Sequence, residues 1–238
     1  MAVPALKFLA IHPIQRHTAT VIFIHGLGDT GNGWWPVAEL FKSDTRLHHV
    51  KWVLPHSPCR NVTANMGMEM PSWFDIYSFG FNTEEDENGM LESARSINQL
   101  ITNEVDSGVD PSRIVLGGFS QGGTMSLLTG LTGERKLAGI AALSGWLPLP
   151  GKFKSLASSH ASSIPVFYGH GSVDPLVKLE KCKASAEFLA TELKIPPSNN
   201  RRVAQGLSHV IYEGLAHTTN QEELDDLKEW IISALPAE

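Results

Sequence analysis

Cysteine is scarce: Cys59 and Cys182 are the two thiols in 238 residues. Two thiols build neither a disulfide framework nor a zinc site, and this usage predicts a reducing compartment. Basic stripes are missing as well, and the formal charge is −6, so nucleic-acid binding is not expected. No stretch approaches the roughly 18 apolar residues of a membrane-crossing helix. The segment Met1–Ile11 is broken by Lys7 and lacks a small-residue cleavage site, which argues against a signal peptide. Ala2 stands where myristoylation needs glycine, and Leu235-Pro236-Ala237-Glu238 is neither a prenylation box nor a peroxisomal address. There is no H-E-x-x-H, no Cys/His cluster and no Asp-rich loop, so neither a metal nor an organic cofactor is expected. These absences predict a soluble chain of the cytoplasm, open also to the nucleus. Contact with a membrane surface would be transient, without stable insertion.

What remains is an ordinary globular balance, 42% hydrophobic and 18% charged, at a length that one domain fills. Short apolar runs at Thr20–Ile24, Val50–Leu54, Arg113–Gly117, Ile140–Leu143, Pro165–Tyr168 and Val210–Tyr212 read as strands, with an edge strand near Lys7–Ile11. Between them apolar residues recur at helical spacing: Met90, Ala94, Ile97, Ile101 and Val105; Cys182, Ala186, Leu189 and Leu193; Leu224, Leu227, Ile231 and Leu235. Continuous apolar strands alternating with amphipathic helices predict a doubly wound α/β domain over residues 1–238, its sheet mostly parallel and covered on both faces. Residues 55–89 read as a loop-rich insertion, and loops of that length are usually functional.

The sharpest motif is Gly118-Phe119-Ser120-Gln121-Gly122, a G-x-S-x-G between the apolar run Ile114-Val115-Leu116 and the helix-like Thr124–Leu131. Strand, tight turn, serine and helix is the context of a nucleophile elbow, whose flanking glycines leave room where a Cβ would clash. Such a serine needs a base and an orienting acid, in the chain order Ser, Asp, His. His217 follows the strand Val210–Tyr212, and Asp174 follows the strand Pro165–Tyr168. His170 competes with His217, but would have to precede its own aspartate. The oxyanion hole would pair the Gln121 amide with that of Leu27, in the loop His25-Gly26-Leu27-Gly28-Asp29, where His25 is structural.

Gly26-Leu27-Gly28-Asp29-Thr30-Gly31 also satisfies the dinucleotide fingerprint G-x-G-x-x-G. Against that reading, Pro36 is the expected first helical residue, no acid ends the next strand, and Asn32 occupies the lysine position of a Walker loop. The run Glu84-Glu85-Asp86-Glu87 reads as a solvated first helical turn. Met66, Met68, Met70, Trp73 and Phe74 form an apolar patch within the insertion; with Trp146 and Leu176 they are expected to make a groove for an alkyl chain beside Ser120.

With these motifs placed, the chain resembles the acyl-protein thioesterases, within the carboxylesterase and lysophospholipase group of α/β-hydrolases. The resemblance rests on residues 25–31, Pro71-Ser72-Trp73-Phe74-Asp75, residues 117–123, Leu143-Ser144-Gly145-Trp146-Leu147-Pro148, residues 171–177 and Tyr212-Glu213-Gly214-Leu215-Ala216-His217, all in family order. It implies removal of S-palmitoyl groups from cytosolic proteins, with Ser120, Asp174 and His217 as triad and Leu27 and Gln121 as oxyanion amides. One departure stands out: Ala2 and a first cysteine at Cys59 replace the acylated N-terminal cysteine of some relatives. The alternatives are a lysophospholipase or small-ester carboxylesterase and, in another class, a catalytically silent hydrolase-fold binding protein.

Overall fold

The computed structural model describes residues 5–78 and 84–237. In chain order its elements are β1 (Phe8–Ile11), β2 (Ala19–Ile24), α1 (Gly31–Lys42), β3 (Val50–Pro55), β4 (Cys59–Val62), β5 (Met68–Pro71), α2 (Glu87–Asp106) and β6 (Ile114–Phe119). There follow α3 (Gln121–Thr132), β7 (Gly139–Leu143), α4 (Pro150–Leu156), β8 (Val166–Gly171), α5 (Leu179–Thr191), β9 (Leu207–Tyr212) and α6 (Gln221–Ala234). Seven strands form one sheet in the order β1-β3-β2-β6-β7-β8-β9. Only β1 runs antiparallel, pairing Phe8 with Pro55 and Ile11 with Trp52; the rest are parallel.

Burial on both sides explains the continuous apolar strands. Ile22, Ile24, Leu116 and Ile140 pack toward α2, α3 and α5, while their neighbours Val21, Phe23, Val115 and Ala141 pack toward α1 and α6. Each strand therefore feeds two cores, and a polar alternation would leave one unfilled. This is the α/β-hydrolase arrangement expected from the sequence. Every loop that leaves the carboxyl end of a parallel strand opens on the same edge, where such sheets place their sites.

Two features go beyond the sequence expectation. The loop-rich stretch 55–89, of which 79–83 lie outside the described residues, carries an antiparallel hairpin in which β4 and β5 pair Cys59 with Pro71 and Val62 with Met68. Its turn uses left-handed backbone at Met66 (φ 54°) and Gly67 (φ 70°). Neither strand carries the β-branched alternation that marks a strand, so the pairing left no clear signal. Helix α1 starts at Gly31, capped by the Thr30 side chain, and Pro36 lies inside it. The third glycine is thus helical after all. What still opposes the dinucleotide reading is the end of β3, where Pro55 and His56 stand in place of a ribose-binding acid.

Candidate active site

The elbow forms because β6 must reverse into α3 within one residue. Ser120 takes φ 55° and ψ −119°, a conformation that costs a non-glycine residue about 1–3 kcal/mol. The residues two places away on either side, Gly118 and Gly122, can only be glycine. A Cβ on Gly122 would drive into the Ile24 carbonyl, and one on Gly118 into the Gly122 backbone. Ser120 N–H donates to Leu143 O at 2.8 Å, tying the turn to β7.

His217, on the loop after β9, places Nε2 3.0 Å from Ser120 Oγ and Nδ1 2.7 Å from Asp174 Oδ2. Asp174 Oδ1 accepts from the amides of Leu176 and Val177, at 2.8 and 2.9 Å. Burial pushes the Asp174 carboxyl up, but the bonds from His217 and these amides outweigh it and hold it below the usual carboxylate range. An ionised Asp174 needs a donor, so Nδ1 carries the imidazole proton and Nε2 presents its lone pair to the serine hydroxyl. The ring of Phe119 packs on His217 at 4.9 Å and limits its swing.

The competing histidines are otherwise engaged. His170 is fully buried and donates through Nε2 to Val177 O at 2.8 Å, bracing the loop that carries Asp174. His25, also buried, donates through Nδ1 to Gly26 O at 2.7 Å, while its Nε2 accepts from Ser57 N–H at 3.1 Å. It holds the 25–29 loop, which approaches the elbow so closely that a Cβ on Gly26 would lie 3.2 Å from Ser120 Cβ. In that loop the Gly28 and Asp29 amides donate to Pro71 O and Gly26 O. The Leu27 amide donates to nothing among the described residues, and neither does that of Gln121 at the start of α3. Two unspent amides, that of Gln121 at a helix N-terminus, suit a developing oxyanion.

The Gln121 side chain anchors the segment before α2. Its Oε1 accepts from Trp73 N–H at 3.0 Å, and its Nε2 donates to Phe74 O at 2.9 Å. Beside Ser120 and His217 lies a cavity of about 250 Å³ with an apolar wall of Phe74, Ile76, Met90, Trp146, Leu176 and Val177 and a charged border of Asp29, Asp75, Glu84, Glu85, Lys178 and Lys181. Three residues of the expected groove, Phe74, Trp146 and Leu176, do line it. Four others lie elsewhere. Met66 and Met68 sit on the hairpin, 86% and 49% exposed, and Met70 leans toward Gly28 and Asn65. Trp73 lies beneath the site, its indole donating to His25 O at 2.9 Å. Hydrophobicity marked the segment as apolar, but the hairpin decides which residues face the cavity. Ile76, Met90 and Val177 were missed as lining residues; Met90 stands in the helical pattern of α2 and gave no sign of facing a site.

The arrangement can polarise a hydroxyl next to a cavity with an apolar wall that Leu27 borders, as acyl transfer to water requires. Among the described residues no group of three His, Cys, Asp or Glu side chains could hold a metal ion. Among them, too, no helix is long and apolar enough to cross a membrane.

Comparison with known proteins gives the family. The phospholipase/carboxylesterase family model matches residues 7–235. Acyl-protein thioesterase 1 of Cryptococcus neoformans is 48% identical over 236 residues, covering 97% of this chain and 98% of that protein. The crystal structure of Arabidopsis thaliana SOBER1 superposes with a TM-score of 0.82 at 30% identity, covering 92% of this chain and 99% of that one. That of Zea mays acyl-protein thioesterase 2 gives 0.80 at 26%, covering 96% and 99%. The chain is a hydrolase of the phospholipase/carboxylesterase family and belongs with its acyl-protein thioesterases.

Proposed function

We propose that this protein hydrolyses thioester-linked long-chain acyl groups, palmitoyl among them, from cysteines of cytosolic proteins. The observation that carries the reading is the hydrogen-bonded series Asp174–His217–Ser120 set on an elbow beside a cavity with an apolar wall. Ser120 Oγ attacks the acyl carbonyl while His217 Nε2 takes its proton. The Leu27 and Gln121 amides stabilise the tetrahedral oxyanion. The tetrahedral intermediate collapses, the cysteine sulfur leaves with a proton from His217, and the acyl group stays on Ser120. Water, deprotonated by the same imidazole, then releases the fatty acid. Phe74, Trp146 and Leu176 take the acyl chain. The whole chain acts as one domain, and membrane contact is limited to transient meeting with the acylated substrate.

The test is a rate comparison on one preparation: an S-octanoyl peptide, a lysophospholipid and soluble nitrophenyl esters of increasing chain length. The S-acyl peptide is expected to give the highest kcat/KM. Ester activity should rise with acyl length by at most about fourfold per methylene, the limit set by about 0.8 kcal/mol of burial. A flat profile with a preference for acetyl esters would make the protein a short-ester carboxylesterase, and preference for the lysophospholipid would make it a lysophospholipase.

Asp174→Asn tests the orienting acid. The amide can donate to Nδ1 and so favours the tautomer with its proton on Nε2, which cannot accept from Ser120. The expected loss is about 10⁴ in kcat with the fold retained. Wild-type turnover in a folded Asp174→Asn protein would mean that another acid orients His217.

A further inference from the structure

The acidic run before α2 is not simply a solvated turn. Asp86 caps the helix, accepting from Gly89 N–H at 2.9 Å. Glu85 turns inward. Its Oε1 accepts the indole N–H of Trp146 at 2.7 Å, and its Oε2 accepts the backbone N–H of Leu149 at 2.6 Å. Both donors belong to the loop after β7, whose backbone is also held by Thr124 Oγ1 on Trp146 N–H and Ser185 Oγ on Leu147 N–H. Those two bonds fix the chain; the bond from Glu85 fixes the ring. Phe74 meets that ring edge-on, with centroids 5.8 Å apart, and the Lys181 ammonium lies 4.4 Å from its centroid. Trp146, Phe74, Lys181 and Glu85 all border the cavity beside Ser120.

We infer that Glu85 is a positioning residue for acyl selectivity: its carboxylate holds the Trp146 indole as a wall of the cavity and so favours long acyl groups over short ones. The inference rests on the reading of that cavity as the acyl site. Its chemistry is specific. Two N–H donors converge on one side chain, and only an acceptor-only group satisfies both. Glutamine, of nearly the same shape, has one accepting oxygen and would turn its NH₂ toward the second donor. Glu85→Gln should therefore behave like Glu85→Ala rather than like wild type. Among the described residues Glu85 makes no hydrogen bond to Ser120, His217 or Asp174, so its loss acts on the acyl wall and not on the reacting atoms.

The experiment measures kcat/KM for soluble octanoyl and acetyl esters in wild type, Glu85→Gln, Glu85→Ala, Trp146→Phe and the Glu85→Gln/Trp146→Phe double variant. Labelling by a fluorophosphonate monitors Ser120 in each. The octanoyl-to-acetyl ratio should fall roughly five- to tenfold in Glu85→Gln, the scale of one net hydrogen bond. The fall should appear in KM for the octanoyl ester rather than in kcat. Phenylalanine keeps a ring but has no indole donor, so adding Glu85→Gln to Trp146→Phe should move the ratio by less than about twofold. An unchanged ratio in Glu85→Gln overturns the proposal, as does an effect undiminished in the Trp146→Phe background or an equal loss for both esters. If Glu85→Gln fails to fold, Trp146→Phe alone decides, since an unchanged ratio there also overturns it. A wild type whose Ser120 does not label would sink the catalytic reading beneath; normal labelling with an unchanged ratio sinks the role of Glu85 alone.

Discussion

Ser120→Ala should lower kcat by about 10⁶ and leave a folded protein, the scale seen when a serine hydrolase loses its nucleophile. The fold should survive because the substitution removes one hydroxyl from a half-buried position, and because alanine has the same Cβ that the strained turn already accommodates. Residual turnover would come from the Leu27 and Gln121 amides and from binding, which stay in place without the nucleophile. Steady-state hydrolysis of an S-octanoyl peptide, with circular dichroism to confirm the fold, measures the effect. A folded variant keeping a tenth of wild-type activity would remove Ser120 from the chemistry.

His217→Ala should cost about as much, since nucleophile and base act as a unit. The matched control is His170→Asn. Losing the buried bond from His170 to Val177 O should lower stability by about 1–3 kcal/mol, yet turnover should persist because Ser120 Oγ bonds to His217 and not to His170. The reverse outcome, a dead His170→Asn with intact fold beside an active His217→Ala, would hand the base to His170. The acid side of the pH profile offers a second view. Asp174 is held below the usual carboxylate range and so keeps its charge further into acid than an ordinary carboxylate. Loss of kcat/KM through protonation of Asp174, which would leave His217 Nδ1 without its acceptor, should therefore fall at lower pH than for an ordinary carboxylate.

How legible the site was depended on which physical rule wrote each residue. Ser120 was legible because a strand-to-helix reversal has one steric solution, and that solution is spelled out by the glycines at 118 and 122. Asp174 and His217 followed from chain order and from their places just beyond apolar strands. The parallel sheet followed from runs such as Val21-Ile22-Phe23-Ile24, in which every residue is buried. The rest depended on tertiary structure. The β4–β5 hairpin rests on a turn at Met66-Gly67 rather than on strand-like side chains, and it carries Met66 and Met68 outward from the groove once expected of them. The start of α1 depended on the Thr30 cap, which outweighed a proline six residues on. Glu85 escaped notice because its partners, an indole N–H and a backbone N–H some sixty residues away, leave no pattern around it. A charge run reads as solvated until the fold supplies buried donors.

The most direct test of the proposed chemistry is the stoichiometry of covalent inactivation. A fluorophosphonate should attach once per chain, on the peptide that carries Ser120, and hydrolysis of an S-palmitoyl peptide should fall in proportion to the label. Label on a different residue, or full S-palmitoyl hydrolysis by a chain whose Ser120 is completely labelled, would contradict it.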